Sequence, residues 1–60
     1  MDDRILQAVD NTIKFLRMAA IELRRLATRA PDVGDELRHI AEQLDRDADE
    51  LRSASRSNPQ

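Results

Sequence analysis

The chain's one histidine and the carboxylates near it are the residues whose types and spacing could do chemistry. Glu36 and His39 form a Glu-x-x-His pair, and di-iron four-helix bundles hold metal with this spacing. A dimer would supply the pair twice, and Glu22 of each copy could complete the ligand set. On a helical wheel, however, Glu36 and His39 lie about 90° and 150° from the centre of the apolar stripe, whereas bundle ligands project inward. We therefore expect no metal site and no cofactor.

An exposed histidine on a dimeric helical hairpin resembles the dimerisation and phosphoacceptor domains of sensor histidine kinases. That likeness implies phosphotransfer at His39. Those domains read His-Glu-Leu-Arg-Thr-Pro, whereas here Glu36-Leu37-Arg38 precedes the histidine and Ile40 stands where an acidic residue is expected. We therefore expect His39 to be solvated and to pair with Asp35 one turn earlier.

The other reactive residue types do not form a catalytic constellation. The chain contains neither Cys nor Tyr, so thiol nucleophiles, disulfides and thiolate metal sites are excluded. Thr12, Thr28 and the serines near the C-terminus have no histidine close to them in a helical hairpin, and there is no glycine-rich phosphate loop. The sequence predicts a protein that is not an enzyme.

Apolar residues follow an unbroken 3-4 spacing through the first half of the chain, which is typical of a heptad seam on one long helix. Asp2 or Asp3 can cap the start of this helix. Pro31 disfavours the helical conformation of the residue before it, so we expect the helix to span about 3–30. The seam consists of Leu6, Val9, Ile13, Leu16, Ala20, Leu23, Ala27 and Ala30.

A second, narrower seam follows and predicts a second helix over about 32–53. Its residues are Val33, Leu37, Ile40, Leu44, Ala48 and Leu51, with Ala41 beside them. The helix could begin with Pro31 in its first turn or with Asp32 as its cap. Gly34 is either a simple turn residue or a point of close approach to the neighbouring helix. Residues 54–60 have little apolar content, and we expect them to be a disordered polar tail.

The charges favour folding of the two helices onto each other, giving an all-α antiparallel hairpin over residues 1–53. Residues 1–30 carry a net charge of +2 and residues 31–60 a net charge of −4. A basic helix against an acidic one selects the pairing by sign, although each exposed pair contributes only some tenths of a kcal/mol.

The size of the chain points to association. A chain of 60 residues buries only about 60 % of its unfolded surface even when compact, and small scaffolds of this kind need an additional source of stability. The apolar arc of the first helix covers about half its circumference, with Ala8 and Phe15 at its edge, so one neighbour cannot cover it. We expect a homodimeric four-helix bundle with the first helices at its centre, where Ala20 and Ala27 allow close approach; a tetramer is the alternative.

The residues predicted to form the core and the dimer interface belong to the two seams, and the sequence leaves open whether the halves run parallel or antiparallel. They are Leu6, Val9, Ile13, Leu16, Ala20, Leu23, Ala27, Leu37, Ile40, Leu44, Ala48 and Leu51.

Two functions fit this architecture. The first is a protein–protein interaction or regulatory module whose unknown partner docks on Met18 and Ile21, which interrupt a charged face of the first helix. The second is a dimeric RNA-binding regulator that uses Lys14, Arg25 and Arg29, since the architecture resembles the small plasmid copy-number regulators. A net charge of −2 and a single aromatic residue count against RNA, which is usually gripped by stacking and a dense positive field.

The sequence predicts a cytoplasmic protein without a membrane segment. Its longest run of consecutive apolar residues is Met18-Ala19-Ala20-Ile21, far shorter than a spanning helix. Its start, Met1-Asp2-Asp3-Arg4, lacks the basic and apolar regions of a secretory signal.

Overall fold

The computed structural model describes residues 2–57, which form two long helices packed as a hairpin. Helix α1 (Asp3–Arg29) leads through a short 3-10 turn (Pro31–Val33) into helix α2 (Gly34–Ser57). Residues 2–57 contain no β-strand. The predicted all-α hairpin is confirmed.

Helix α1 begins and ends where its sequence signals indicate. The Asp2 carboxylate accepts a hydrogen bond from the backbone N–H of Ile5 at 2.9 Å, which satisfies a first-turn donor that has no partner inside the helix. At the other end, Ala30 leaves the helical region with φ −125° and ψ 72°, as expected before Pro31. Its N–H still donates to the carbonyl of Leu26 at 2.9 Å.

The turn resolves the two predicted starts of the second helix. Pro31 occupies the first position of the 3-10 turn, where its missing N–H costs nothing. The N–H of Val33 closes the turn by donating to the carbonyl of Ala30 at 3.0 Å. Gly34 then begins α2 with helical φ −60° and ψ −41°. Its backbone is therefore helical and does not form the turn.

Helix α2 continues to Ser57, beyond the predicted end at 53. Ala and Arg in this segment are good helix formers, and the Ser55 hydroxyl donates to the carbonyl of Arg52 at 3.0 Å, so that its polar group is satisfied within the helix. Residues 54–57 of the predicted polar tail are therefore helical, and residues 58–60 lie outside the described residues.

The core of the hairpin is a line of small side chains at seven-residue spacing. The largest of the buried residues is Ile13, at 8 % exposure. Residues spaced by seven lie on the same stripe of a helix, so the two stripes meet from Ile13 to the turn. Leu6 continues the stripe of α1 and was predicted for the core, but it is 37 % exposed. The buried residues are Ile13, Ala20 and Ala27 of α1 and Gly34, Ala41 and Ala48 of α2.

Gly34 marks a point of close approach between the helices. A Cβ atom built at this position would lie 3.1 Å from the carbonyl oxygen of Ala27, which is tighter than ordinary van der Waals contact. Of the two sequence interpretations of Gly34, close approach is therefore the one that the structure supports.

The small-residue line changes two details of the predicted seams. Val33 and Ile40 were expected in the hairpin seam but are 40 % and 48 % exposed, because α2 presents Gly34, Ala41 and Ala48 to α1. Ala20 and Ala27 were expected to allow close approach between the first helices of two copies. They are instead buried against α2 within one hairpin.

The hairpin is elongated and one layer thick. It measures 47 × 16 × 9 Å and has a radius of gyration of 14.1 Å, whereas a compact domain of this length has about 10 Å. With a single layer of two helices, each helix has one neighbour and leaves most of its circumference uncovered.

Enlarging the small-residue line should separate the helices. We expect Ala41→Leu to lower the free energy of unfolding by about 1–3 kcal/mol, the usual cost of overpacking, since Ala41 is fully buried. Urea denaturation followed by circular dichroism measures the change. Glu42→Leu introduces the same side chain one position away on the exposed side and should change stability little; equal effects of both variants would contradict the proposed packing.

Candidate interaction surfaces

One side of the hairpin carries an ion-pair network between the helices. The Arg17 guanidinium contacts the carboxylates of Asp49 at 2.7 Å and Asp45 at 3.8 Å. Arg24 contacts the other oxygen of Asp45 at 3.0 Å. All three pairs join an arginine of α1 to an aspartate of α2, as the predicted pairing of a basic with an acidic helix requires.

The network orients the hairpin more than it stabilises it. Its side chains remain between 34 % and 70 % exposed, so water screens each pair and each contributes at most about 1 kcal/mol. The shared use of Arg17 and Asp45 nevertheless fixes which side of α2 faces which side of α1.

The opposite side of the hairpin is apolar, and we call it the apolar face. In an antiparallel pair, the positions flanking the seam on one side of both helices meet each other. Since Arg17, Arg24 and Asp45 occupy one side, the apolar residues at the other flanking positions share the second side. Four of them are exposed, namely Ile5, Leu26, Val33 and Ile40, and six that border the seam are half-buried, namely Val9, Leu16, Leu23, Leu37, Leu44 and Leu51.

The polar residues on the apolar face have hydrogen-bond partners of their own. The Thr12 hydroxyl donates to the carbonyl of Ala8 at 2.9 Å. The Asp47 carboxylate accepts from Nε2 of Gln43 at 3.1 Å. The satisfied Thr12 hydroxyl is therefore inexpensive to cover, whereas the Asp47 carboxylate needs water or a polar partner at any interface formed by this face.

The N-terminal half of the edge of α1 beside the apolar face is also apolar, whereas Glu22 and Arg29 continue the same stripe toward the turn. Phe15 lies there with 71 % of its surface exposed, and Ala8 lies two turns before it on the same stripe. The corresponding edge of α2 is polar, with Glu36, Gln43 and Glu50. The two helices therefore differ in the width of their apolar arcs, as the sequence predicts.

The outward surface of α1 carries the predicted partner patch. Met18 and Ile21 are 63 % and 51 % exposed, and together with Glu22 and Arg25 they line a shallow, open pocket of about 210 Å³. Arg25 lies 3.8 Å from the Glu22 carboxylate. The patch is thus an apolar pair beside a partly neutralised charge.

The residues predicted for RNA binding are exposed but spread over α1. Lys14 and Arg25 are separated by eleven residues, which is about 16 Å along a helix, and Arg29 lies a further turn away. The Glu22 carboxylate beside Arg25 weakens the positive field there. The structure does not gather these three cations into one dense patch.

The residues considered for chemistry around His39 are separated and exposed. Within residues 2–57, no three His, Asp or Glu side chains converge on a point that could hold a metal ion. Asp35 accepts from Nη2 of Arg38 at 3.2 Å, so its partner is Arg38 instead of the predicted His39. Both Arg38 and His39 are within reach of Asp35 on the helix surface, and Arg38 has the advantage of a guanidinium with five N–H donors.

Sequence reasoning missed Ala41 as a central residue of the hairpin and gave close approach as only one of two interpretations of Gly34. The available signal was the seven-residue spacing of small residues, Ala20, Ala27, Gly34, Ala41 and Ala48, which runs through the turn from one helix to the other. An analysis of apolar spacing counts leucine and alanine alike. It therefore does not distinguish the stripe of small residues from the stripe of leucines beside it.

Neither helix within residues 2–57 is long and apolar enough to cross a membrane. No protein-family model, curated protein or solved structure matches the chain.

Removing Asp45 should reveal the modest contribution of the ion-pair network. Asp45→Asn breaks contacts to both Arg17 and Arg24, so we expect a loss of about 0.5–1 kcal/mol at low ionic strength that shrinks in molar salt. Thermal denaturation at two salt concentrations measures it. Glu50→Gln removes an exposed carboxylate outside the network and is the matched control; a salt-independent loss in Asp45→Asn would contradict an electrostatic origin.

Proposed function

We propose that this chain is a non-catalytic interaction module that works as a homodimer, in which two hairpins join through their apolar faces as a four-helix bundle. The observation that carries the proposal is the apolar face itself. Its leucines are half-buried at best, and the most covered large apolar residue of the described chain is Ile13, in the small-residue line. The hairpin alone leaves the leucines of its own seam without a second layer to pack against.

The accessible area of the hairpin fits this proposal. One chain exposes 4789 Å², whereas a compact protein of its mass exposes about 4,000 Å². A compact protein of twice the mass exposes about 6,600 Å², so packing two hairpins to ordinary compactness would bury about 3,000 Å² in total. That area lies in the range of about 2,000–5,000 Å² that is typical of obligate homodimers.

A second copy is the occupant that the apolar face fits. The face extends along a 47 Å hairpin, so a partner of the same length and the same apolar pattern covers it from end to end. The charged groups of Arg17, Arg24 and Asp45 lie on the opposite side of the hairpin. They remain in water, so forming the dimer does not require their desolvation. A tetramer would need further apolar surface and is the alternative assembly.

The outward Met18 and Ile21 patch is the surface through which we propose that the dimer meets other proteins. It lies away from the apolar face on α1, so dimerisation leaves it accessible. An adjacent pair of exposed apolar residues next to a shallow pocket is typical of a docking point for a protein side chain.

A charge on the apolar face should dissociate the dimer. We expect Ile40→Glu to give a monomer in sedimentation equilibrium, because a carboxylate buried between hairpins without a partner costs several kcal/mol. Ile21→Glu places the same charge on the outward patch and should leave a dimer. A monomeric parent protein at high micromolar concentration, or dissociation by both variants alike, would contradict the proposed interface.

Truncation of a seam leucine distinguishes a closed bundle from a lone hairpin. Leu16 is half-buried in the single hairpin, but in a closed bundle Leu16→Ala and Leu23→Ala should each cost about 2–5 kcal/mol per chain. Chemical denaturation at several protein concentrations measures the loss. A cost below about 1 kcal/mol at every concentration would show that no second layer covers these leucines.

Native mass spectrometry of the protein purified from its own host at low salt separates the two functions. A protein module should appear as two bare chains or with an added polypeptide whose binding is lost in Met18→Asp. An RNA-binding regulator should carry nucleic acid that is lost steeply with added salt and in Lys14→Glu or Arg25→Glu. Recovery of salt-sensitive RNA would replace the protein-interaction proposal.

A further inference from the structure

We propose that α1 of one chain packs antiparallel against α1 of the other, with the two-fold axis passing between the two copies of Leu16 and the turns at opposite ends of the bundle. This inference rests on the homodimer proposed above and specifies its geometry. It identifies Phe15 as the residue that selects the orientation.

Two symmetric arrangements can bring the apolar faces together. If the two-fold axis runs along the helices, α1 lies over the partner's α2 and both turns are at one end. If the axis runs across the helices, α1 lies over α1, α2 lies over α2, and the turns are at opposite ends. Both are isologous, closed dimers, and they differ in which edges of the hairpins meet.

The levels of the residues along the hairpin follow from contacts within it. Arg17 contacts Asp45 and Gly34 lies against Ala27. Residue numbers that rise along α1 therefore lie beside residue numbers that fall along α2. Leu16 is therefore level with Leu44. On the same count Val9 is level with Leu51, and Leu23 is level with Leu37.

The edges of the helices favour the arrangement with the axis across them. With the axis along the helices, Phe15 would lie over Gln43 of the other copy and Ala8 over Glu50, so the exposed aromatic ring would meet polar side chains. With the axis across the helices, the apolar edge of α1 meets its own copy. Phe15, 71 % exposed in the hairpin, then lies against the second Phe15, and burial of the two rings stabilises this arrangement.

The same axis brings the apolar residues of both helices into register. Val9 and Leu23 lie seven residues on either side of Leu16, and Leu37 and Leu51 lie seven residues on either side of Leu44. Because Leu16 and Leu44 lie at the same height along the hairpin, one axis can pass through both positions. Rotation about this axis places the Val9 and Leu51 pair of one hairpin over the Leu23 and Leu37 pair of the other. No apolar level is left without a partner at either end.

The charge at the edges is compatible with this geometry. Glu22 lies opposite the small Ala8 of the other copy, and the polar edge of α2 meets its own copy at the solvent-exposed rim. Arg46 lies one turn before Glu50 on that rim, where it can offset the acidic side chains. The apolar part of the α1 edge is thus covered and the polar edge of α2 remains hydrated.

Site-directed cross-linking tests the orientation, because the chain contains no cysteine of its own. Single-cysteine variants are joined with a short bis-maleimide under conditions where sedimentation shows a dimer. Gln43→Cys alone should cross-link with itself across the axis, and a mixture of Ala8→Cys with Glu22→Cys should give a joined dimer that neither variant gives alone. Both tests retain Phe15. Yields should exceed those of the outward control His39→Cys by at least about tenfold, since thiols held together have a millimolar effective concentration.

The outcomes distinguish a wrong orientation of the dimer from the absence of a dimer. If Gln43→Cys fails to cross-link with itself while a mixture of Ala8→Cys with Glu50→Cys is joined, the protein is a dimer with its axis along the helices and the orientation proposed here is wrong. A monomer in sedimentation would overturn the homodimer itself.

Phe15→Gln tests the role assigned to the aromatic ring. Loss of the self-cross-link at Gln43→Cys in this background, with a dimer retained in sedimentation, would show that Phe15 selects the orientation. An unchanged cross-linking pattern and an unchanged dissociation constant would exclude that role.

Discussion

The close approach of the two helices along a line of small side chains is the constraint on which the rest of this structure depends. Alanine at Ala20, Ala27, Ala41 and Ala48, with Gly34 at the turn, lets the backbones come together. Small residues bury little apolar area each. The helices are therefore close together, but their contact contributes only a modest free energy of folding. The larger apolar residues are displaced to the flank of the contact, where a single hairpin covers them only in part.

The same constraint divides the hairpin into two unlike sides. Because the small residues fix the rotation of each helix, Arg17, Arg24 and Asp45 meet on one side and the leucines collect on the other. The ion pairs select the pairing and keep one side hydrated. In the assembly that we propose, the apolar side would provide the driving force, while the ion pairs act only within each hairpin.

The sequence predicts the helices, the turn and the pairing of basic with acidic residues because these depend on local signals. Asp2 caps α1 and Pro31 ends it through interactions within a few residues. The rotation of α2 was not predictable in the same way, since the apolar stripe accommodates either Ile40 or Ala41 in the seam. In the structure Ala41 faces α1, because its small side chain allows the helices to pack closely. Ile40 remains exposed as a result, and residue spacing alone does not predict this loss of buried apolar area. The partner of Asp35 likewise depended on competition between Arg38 and His39, two side chains one position apart.

The single-layer shape of the hairpin has a consequence for the lifetime of the chain in the cell. In the proposed dimer, folding and pairing are one equilibrium, so the folded fraction rises with the amount of protein present. Chains at low concentration would populate opened states that proteases cleave. The amount of folded protein would then fall more steeply than its rate of synthesis.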